Sequence, residues 1–491
     1  MSGSVAVPVR SRIVSAVFVV PIPIPGSVRR PGTGVKMEFE GKKVLVVGLG
    51  LSGFSAAALL AREGARVKVT ESGDSDAVAA KRDILAGKGI EVETGGHTKG
   101  FCRGNDLIVM SPGIPANHPA GAFFATKDVP VIGELELGYL FCQAPIIAVT
   151  GTNGKTTTVS MLGKIFDRAG RYPVVCGNMG KPLSGEVDGI DRSNVVIAEV
   201  SSFQLETTKT FRPRVAVLLN VSDDHYGRHG NMENYKRHKF KIFSNQCSSD
   251  RAVLRSDLAS ERSIAGLKSK VVFFGGPGAR YRAEDDRVMY VSGGKEQVFL
   301  TSEHSGLEGR HNMENAACCA QVAEIWGISA DIVRSALENF SLPLHRFQRL
   351  GCAGGVFFID DSKATNVDAA KRALEAVDVP VVLIAGGEDK LGDYSVLIDL
   401  AEKKIKAMVV LGEARRKIMD VFSDRVEVHE ALDMSDAVKR SVSIAGEGGT
   451  VMLSPMCSSF DMFDSYSHRG EVFRREIEKL CGPLYRGIKK I

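Results

Sequence analysis

The run Ile146-Ile147-Ala148-Val149-Thr150 leads directly into Gly151-Thr152-Asn153-Gly154-Lys155-Thr156-Thr157. That junction confines the chain to α/β architectures with a parallel sheet. A β-branched apolar stretch reads as a buried strand, and glycines followed by Lys-Thr read as a tight turn that opens a helix. Glycines let backbone N–H groups close around oxyanions, and the helix N-terminus adds a favourable field. The turn is a shortened relative of the usual phosphate loop, with only Thr152 and Asn153 between its glycines. Lys155 is expected to bring charge to the β- and γ-phosphates of ATP, Thr156 a hydroxyl to Mg²⁺, and Gly151–Thr157 as a whole to wrap the triphosphate. The alternative is an ordinary glycine-rich βα turn, and Gly-Lys-Thr in a strand–turn–helix setting argues against it.

Around this junction the chain keeps alternating apolar runs with segments of helical period, so an α/β protein with several parallel sheets is expected. At 491 residues there is room for about two to four domains, each with its own core. The runs Val44–Val47, Val67–Thr70, Leu107–Met110 and Val131–Ile132 form a first unit, 37–143. Ile146–Val149, Val195–Val200, Val215–Val221 and Val271–Phe274 form a second, 144–343, and Val356–Ile359, Val381–Ile384, Met408–Leu411 and Val451–Leu453 a third, 344–491. Residues 1–36 stand apart. Their Arg10, Arg12, Arg29, Arg30 and Lys36, with no acid, account for the whole formal charge of +5. The segment reads either as a translated upstream stretch before a start at Met37, the favoured reading, or as an organellar transit peptide, and it is left out of the fold. The balanced remainder excludes the net-basic footprint of a nucleic-acid binder. Nine scattered cysteines without a CxxC pair fit a reducing compartment and neither a disulfide framework nor a zinc site. No run approaches the ~20 apolar residues that cross a bilayer, so no membrane insertion is expected.

Each unit carries polar groups at its strand ends. The first opens with Val44–Val47 and Gly48-Leu49-Gly50-Leu51-Ser52-Gly53, with Glu71 at the end of the next strand. This spacing is a dinucleotide fingerprint, so an NAD-dependent dehydrogenase is a rival reading, although such a turn accepts any pyrophosphate, that of a UDP-sugar included. No hydride-transfer constellation accompanies it. In the second unit Glu199 ends a buried run where a Mg²⁺ ligand is needed, or merely caps the next turn. His225 closes Asn220-Val221-Ser222-Asp223-Asp224-His225, and the basic stretch Tyr235–Lys241 reads by default as a solvated face. In the third unit Arg346 serves either as a phosphate clamp or in an interdomain salt bridge. Asp360–Asn366, Gly386–Lys390 and Ser454–Asp461 are three polar strand tips that together make a substrate mouth.

Taken in order, GTNGKT at 151–156, E-V-S-S-F-Q-L-E at 199–206, NVSDDH at 220–225, GRHNMEN at 309–315, HRF at 345–347 and DDSKATN at 360–366 resemble the Mur ligases of peptidoglycan synthesis. The opening GLGLSG, DSKATN and SPMCSSFDMF at 454–463 point to the branch that adds D-glutamate. The likeness runs from about Met37 to the C-terminus. It implies an N-terminal Rossmann-like unit for UDP, a central ATPase unit and a C-terminal Rossmann-like unit. It also implies a cytoplasmic, monomeric enzyme that joins D-glutamate to UDP-N-acetylmuramoyl-L-alanine through an acyl phosphate. By the family pattern Lys155, Glu199, His225 and Lys239 are catalytic, and Thr156, Glu199, His225 and a carbamylated Lys239 hold two Mg²⁺ ions. Asn312, Asn315, Arg346 and Asp361 join the phosphate loop in holding ATP. Leu51, Ser52, Glu71 and Ser72 receive the UDP, and Asn178 and Ser201 the muramoyl-alanine portion. Lys363, Thr365, Lys390, Ser459 and Phe460 orient D-glutamate, the last two through backbone N–H groups. Folate-polyglutamate-forming relatives and a non-catalytic nucleotide-binding scaffold are the remaining alternatives.

Overall fold

The computed structural model describes residues 39–115, 129–178, 180–224, 226–338, 340–481 and 486–487. The 1–36 extension and His225 lie outside them. Three α/β units follow one another. In the first, strands β1 (Lys43–Val47), β2 (Arg66–Thr70), β3 (Glu91–Glu93), β4 (Leu107–Met110) and β5 (Val131–Gly133) form a parallel sheet in the order β3-β2-β1-β4-β5. Gly48, at φ +94°, ends β1. A Cβ there would lie 2.7 Å from Ser111 Oγ, and one on Gly53 would lie 1.9 Å from Gly48 O, so helix Leu51–Arg62 sits directly on the strand end.

The second sheet contains β6 (Ile146–Thr150), β7 (Pro173–Gly177), β8 (Val195–Glu199), β9 (Val215–Leu218), β10 (Arg251–Arg255) and β11 (Lys270–Phe274), all parallel, in the order β11-β10-β9-β6-β8-β7. Every residue of β6, β8 and β9 is buried, as expected of parallel strands covered on both faces. Chain direction across the sheet reverses at β6, which opens a crevice at its C-terminal end. A small antiparallel sheet follows, built from β12 (Tyr281–Ala283), β13 (Arg287–Ser292) and β14 (Lys295–Thr301). The third large sheet contains β15 (Gln348–Ala353), β16 (Val356–Asp360), β17 (Val381–Gly386), β18 (Ile405–Leu411), β19 (Glu427–Glu430), β20 (Thr450–Leu453) and β21 (Arg486–Gly487), in the order β19-β18-β17-β20-β16-β15-β21. It is parallel except for β15, which runs antiparallel to both neighbours.

The units are joined in two different ways. Val44 and Val46 of the first sheet, Leu135 and Leu137 of the intervening helix Glu134–Phe141, and Ile146, Ala148, Val196 and Ala216 of the second sheet belong to one continuous apolar cluster. The buried Glu136 of that helix accepts hydrogen bonds from the N–H groups of Lys209 (2.9 Å), Thr210 (2.7 Å) and Phe211 (3.0 Å). The third unit has its own apolar clusters, starting at Phe347 and Leu350. It meets the centre through a polar seam. Asp368 accepts from Asn153 Nδ2 (2.8 Å) and Ser222 Oγ (3.0 Å), Asn366 Nδ2 donates to Asp224 (3.0 Å), and Lys390 Nζ lies 3.7 Å from Asp224. Among the described residues no helix is long and apolar enough to cross a membrane.

Candidate active site

The second sheet brings its strand tips level, because Val149 pairs with Glu199 and Thr150 with Leu218. The turn after β6 leads into helix Lys155–Arg168. Its N-cap Gly154 has φ +85°, where a Cβ would reach 2.5 Å from Asn315 Oδ1. Only glycine allows that close approach of helix Arg310–Ile325 to the loop. Lys155 folds back over the turn, its Nζ donating to Gly151 O and Thr152 O at 2.8 Å each. Burial lowers its pKa, with the Glu199 and Asp224 carboxylates opposing. Thr156 Oγ1 donates to one oxygen of the buried Glu199 (2.8 Å) and Asn178 Nδ2 to the other (2.9 Å). Hard oxygen donors thus stand beside a turn rich in N–H groups.

Lys239 approaches the same turn from behind. It lies on helix Met232–Phe240, is 1% exposed, donates to Gly151 O at 2.8 Å, and rests 4.4 Å from the centre of the Tyr235 ring. Burial, with the neighbouring Lys155 charge, pushes its pKa well below the usual lysine value. The default reading of Tyr235–Lys241 as a solvated face therefore fails at Tyr235, Lys239 and Phe240, which are buried, and holds at the exposed Arg237.

The third unit closes the opposite wall. Arg346, Asp361, Lys363, Thr365 and Lys390 line the same cavity as Thr152–Thr157, Asn178, Glu199, Asn312 and Asn315. Asp361 accepts from Phe347 N–H (3.1 Å) and Ser454 Oγ (2.9 Å), yet burial raises its pKa to about 7. Burial lowers Lys363 to about 7, and its Nζ lies 3.5 Å from the centre of the Tyr466 ring. Burial also lowers the Arg346 guanidinium. Two cations and a carboxyl are thus held in a half-desolvated state on the wall that faces the phosphate loop.

Three family models match in succession: the MurD-like N-terminal domain of Mur ligases over residues 42–133, the Mur ligase middle domain over 149–323, and the Mur ligase glutamate ligase domain over 345–457. A UDP-N-acetylmuramoylalanine–D-glutamate ligase of Pelotomaculum thermopropionicum is 40% identical over 456 residues, covering 90% of this chain and 99% of that protein. The chain belongs to the Mur ligase family. A protein of the same name from Acidobacterium capsulatum is 40% identical over 444 residues, covering 89% of this chain and 96% of its own. Among solved structures, MurF from Acinetobacter baumannii superposes with a TM-score of 0.59 at 17% identity, covering 90% of this chain and 91% of that one. UDP-N-acetylmuramate-alanine ligase MurC from Thermotoga maritima gives 0.58 at 18%, covering 89% and 100%. These likenesses bear out the expected α/β fold of a Mur ligase.

Some expected site residues are not among those lining this cavity. Gly151 and Lys239, joined by the Lys239 Nζ–Gly151 O hydrogen bond (2.8 Å), are outside the lining. Ser201 caps helix Ser202–Glu206 in a reciprocal pair with Gln204 and lies outside the cavity lining. Ser459 is buried and Phe460 is 71% exposed, and neither is in the cavity lining. Leu51, Ser52, Glu71 and Ser72 gather at the separate mouth of the first sheet. Burial works against the Glu71 charge there, but the N–H groups of Gly73 (2.9 Å) and Leu49 (2.6 Å) and the Ser72 hydroxyl hold the carboxylate below its usual range. Glu71 therefore braces the glycine turn from within. Sequence reasoning passed over Asn220, Asp224, His311, Asn366 and Arg372, all in the cavity lining. The first four fall inside motifs already recognised, which was signal enough. Arg372 and Tyr466 carry no local signal. Glu206, His229 and His238 bring ligand atoms within 4.8 Å of one another, but both Glu206 oxygens accept from Arg228 (3.1 and 2.7 Å), so the group is satisfied as an ion pair.

Proposed function

We propose that this chain is the ATP-dependent ligase that joins D-glutamate to UDP-N-acetylmuramoyl-L-alanine, a cytoplasmic step of peptidoglycan precursor synthesis carried out by a monomer. The observation that carries the reading is 40% identity to ligases of that name across 90% of the chain. The site is consistent with it. On this reading 37–143 receives UDP, 144–343 ATP, and 344–491 the amino acid and part of the nucleotide.

The donor set suits ATP and Mg²⁺. The Gly154 position leaves no room for a Cβ, and the Thr156 hydroxyl and Glu199 carboxylate are the hard oxygens that Mg²⁺ prefers. Thr156 and Glu199 are proposed to hold one ion, and His225 with a carbamylated Lys239 a second. Carbamylation requires an uncharged amine, and burial favours that form of Lys239. When bound, Mg²⁺ supplies charge neutralisation on the transferring phosphoryl group.

The chain's own residues do the rest. Lys155, swung off the Gly151 and Thr152 carbonyls, pairs with phosphate oxygens, and Asn178 keeps Glu199 oriented. The substrate carboxylate is placed in line with the γ-phosphorus, whose bond to ADP breaks as the acyl phosphate forms. Catalysis here is mainly positioning and charge stabilisation. Lys363, Thr365 and Lys390 then hold the D-glutamate carboxylates while its amine attacks the activated carbonyl and phosphate leaves. Among the described residues the Ser459 and Phe460 N–H groups donate to no backbone carbonyl, which leaves them open to a carboxylate.

The test is phosphate release by the full chain with ATP, Mg²⁺ and UDP-N-acetylmuramoyl-L-alanine, with D-glutamate, L-glutamate or no acceptor. Release that requires D-glutamate is expected. Release that requires a different acceptor would overturn the branch assignment, and release without UDP-linked substrate would overturn the reading.

A further inference from the structure

Arg469, on helix Tyr466–Cys481, is 2% exposed and places four of its five N–H donors on neutral oxygens. Its Nε donates to Ser362 Oγ (3.1 Å), Nη1 to Ser458 O (3.0 Å), and Nη2 to Ser362 O (2.9 Å) and Cys457 O (3.1 Å). Burial lowers its pKa to about 10, which leaves it charged at neutral pH. Among the described residues no carboxylate pairs with it directly, and Asp461, Asp360 and Asp361 act on it only from farther off. A buried guanidinium bonded to neutral oxygens alone is costly, so the position calls for a compensating role.

The geometry of its acceptors supplies one. Ser362 belongs to the tip after β16, which carries Lys363 and Thr365, and Cys457 and Ser458 to the tip after β20, which carries Ser459. Ser458 O also accepts from Glu388 N–H (3.1 Å), which ties in the tip after β17 that carries Lys390. Gly387 comes so close that a Cβ would lie 2.1 Å from Ser458 O. One side chain therefore fastens two of these strand tips directly and the third through the shared Ser458 carbonyl. The described peptide bonds contain no cis bond, and in a trans peptide the C=O and the following N–H point in opposite directions. Drawing Ser458 C=O inward onto Arg469 thus aims the Ser459 N–H away from the guanidinium.

We propose that Arg469 is a positioning residue for the amino-acid acceptor. It sets the direction of the Ser459 N–H and the placement of Lys363, the groups that would receive the carboxylates of the acceptor. This rests on the proposed function. It concerns substrate selection and not the transfer of the phosphoryl group, because none of the four bonds reaches the phosphate loop.

The experiment compares the full-length protein with Arg469→Lys and Arg469→Met, in steady-state kinetics and in amide hydrogen exchange of segment 454–463. The KM for D-glutamate is expected to rise about tenfold or more in Arg469→Met and less in Arg469→Lys, with the KM for ATP within about twofold of the parent, tenfold being ~1.4 kcal/mol of acceptor binding. Exchange at 454–463 is expected to quicken while β17 stays protected. Equal rises in both KM values, or an unchanged KM for D-glutamate, would overturn the proposal. Should Arg469→Met not fold, Arg469→Lys decides on the same criteria. If the parent shows no D-glutamate dependence at all, the functional reading fails, and the exchange data still decide whether Arg469 positions the loop.

Discussion

At the scale of single residues the site is a set of charges kept short of solvent. Lys155→Ala and Glu199→Ala are each expected to lower kcat by about 10²–10³-fold, the usual cost of one preorganised charge in phosphoryl transfer. The melting temperature should barely change for Lys155→Ala, since its Nζ contacts only loop carbonyls. Lys239→Ala should lose turnover in the same assay and regain part of it with a small added carboxylate. Lys363 gives a prediction with a definite sign. Its folded pKa, near 7, is below the lysine value of 10.5, so between those values the unfolded chain holds more protons than the native one. The charged, buried form therefore penalises stability fully below pH 7, and the penalty fades as pH rises toward 10.5. Lys363→Met should raise the urea midpoint most at pH 6 and progressively less at pH 8 and 9. A gain that grew with pH would contradict the assignment.

At the scale of elements, the strand–turn–helix at Ile146–Arg168 was legible because one local requirement, a glycine at positive φ before Lys-Thr, fixes strand end and helix start together. Strands with long apolar runs, such as β1, β8 and β17, were legible for a similar reason. β3 (Glu-Val-Glu), β10 with arginine at both ends, and β7, which begins at Pro173, were not, since each offers at most a short apolar run and owes its place to pairing with neighbouring strands. Helix Met232–Phe240 shows the same limit. It is mostly charged and polar, and only tertiary packing makes Lys239 turn inward beside Tyr235 and Phe240. At the candidate site, motif residues could be read and helix-face residues such as Arg372 could not, because side-chain direction across a domain gap leaves no local trace. One element also carries an unexpected structural load. Glu136 holds three N–H groups of segment 209–211 from a buried position, so Glu136→Ala should cost ~3 kcal/mol in urea unfolding, as expected on stranding buried donors. Gly154→Ala should leave the strand intact and abolish nucleotide binding by calorimetry, since its Cβ would meet Asn315.

At the scale of the whole molecule the two junctions differ in kind. The first and second units share a continuous apolar core, while the third meets the second through Asn153, Ser222, Asp224, Asn366, Asp368 and Lys390. The third unit is accordingly the one expected to move. Asp368→Ala removes two seam bonds and should enlarge the radius of gyration of the ligand-free protein in small-angle scattering, with ATP and substrates reversing the change. An identical radius in both proteins would count against a seam of this importance. The contrast also bears on the response to the medium. Apolar contact is nearly indifferent to potassium chloride, whereas charged contacts weaken as the Debye length falls from about 10 Å at 0.1 M toward 3 Å at 1 M. Rising ionic strength should therefore loosen the third unit's boundary more than the first, whose shared apolar core outweighs its Arg62–Asp188 pair and Glu136 contacts, so that the chain responds to salt as a rigid pair with a detachable third part.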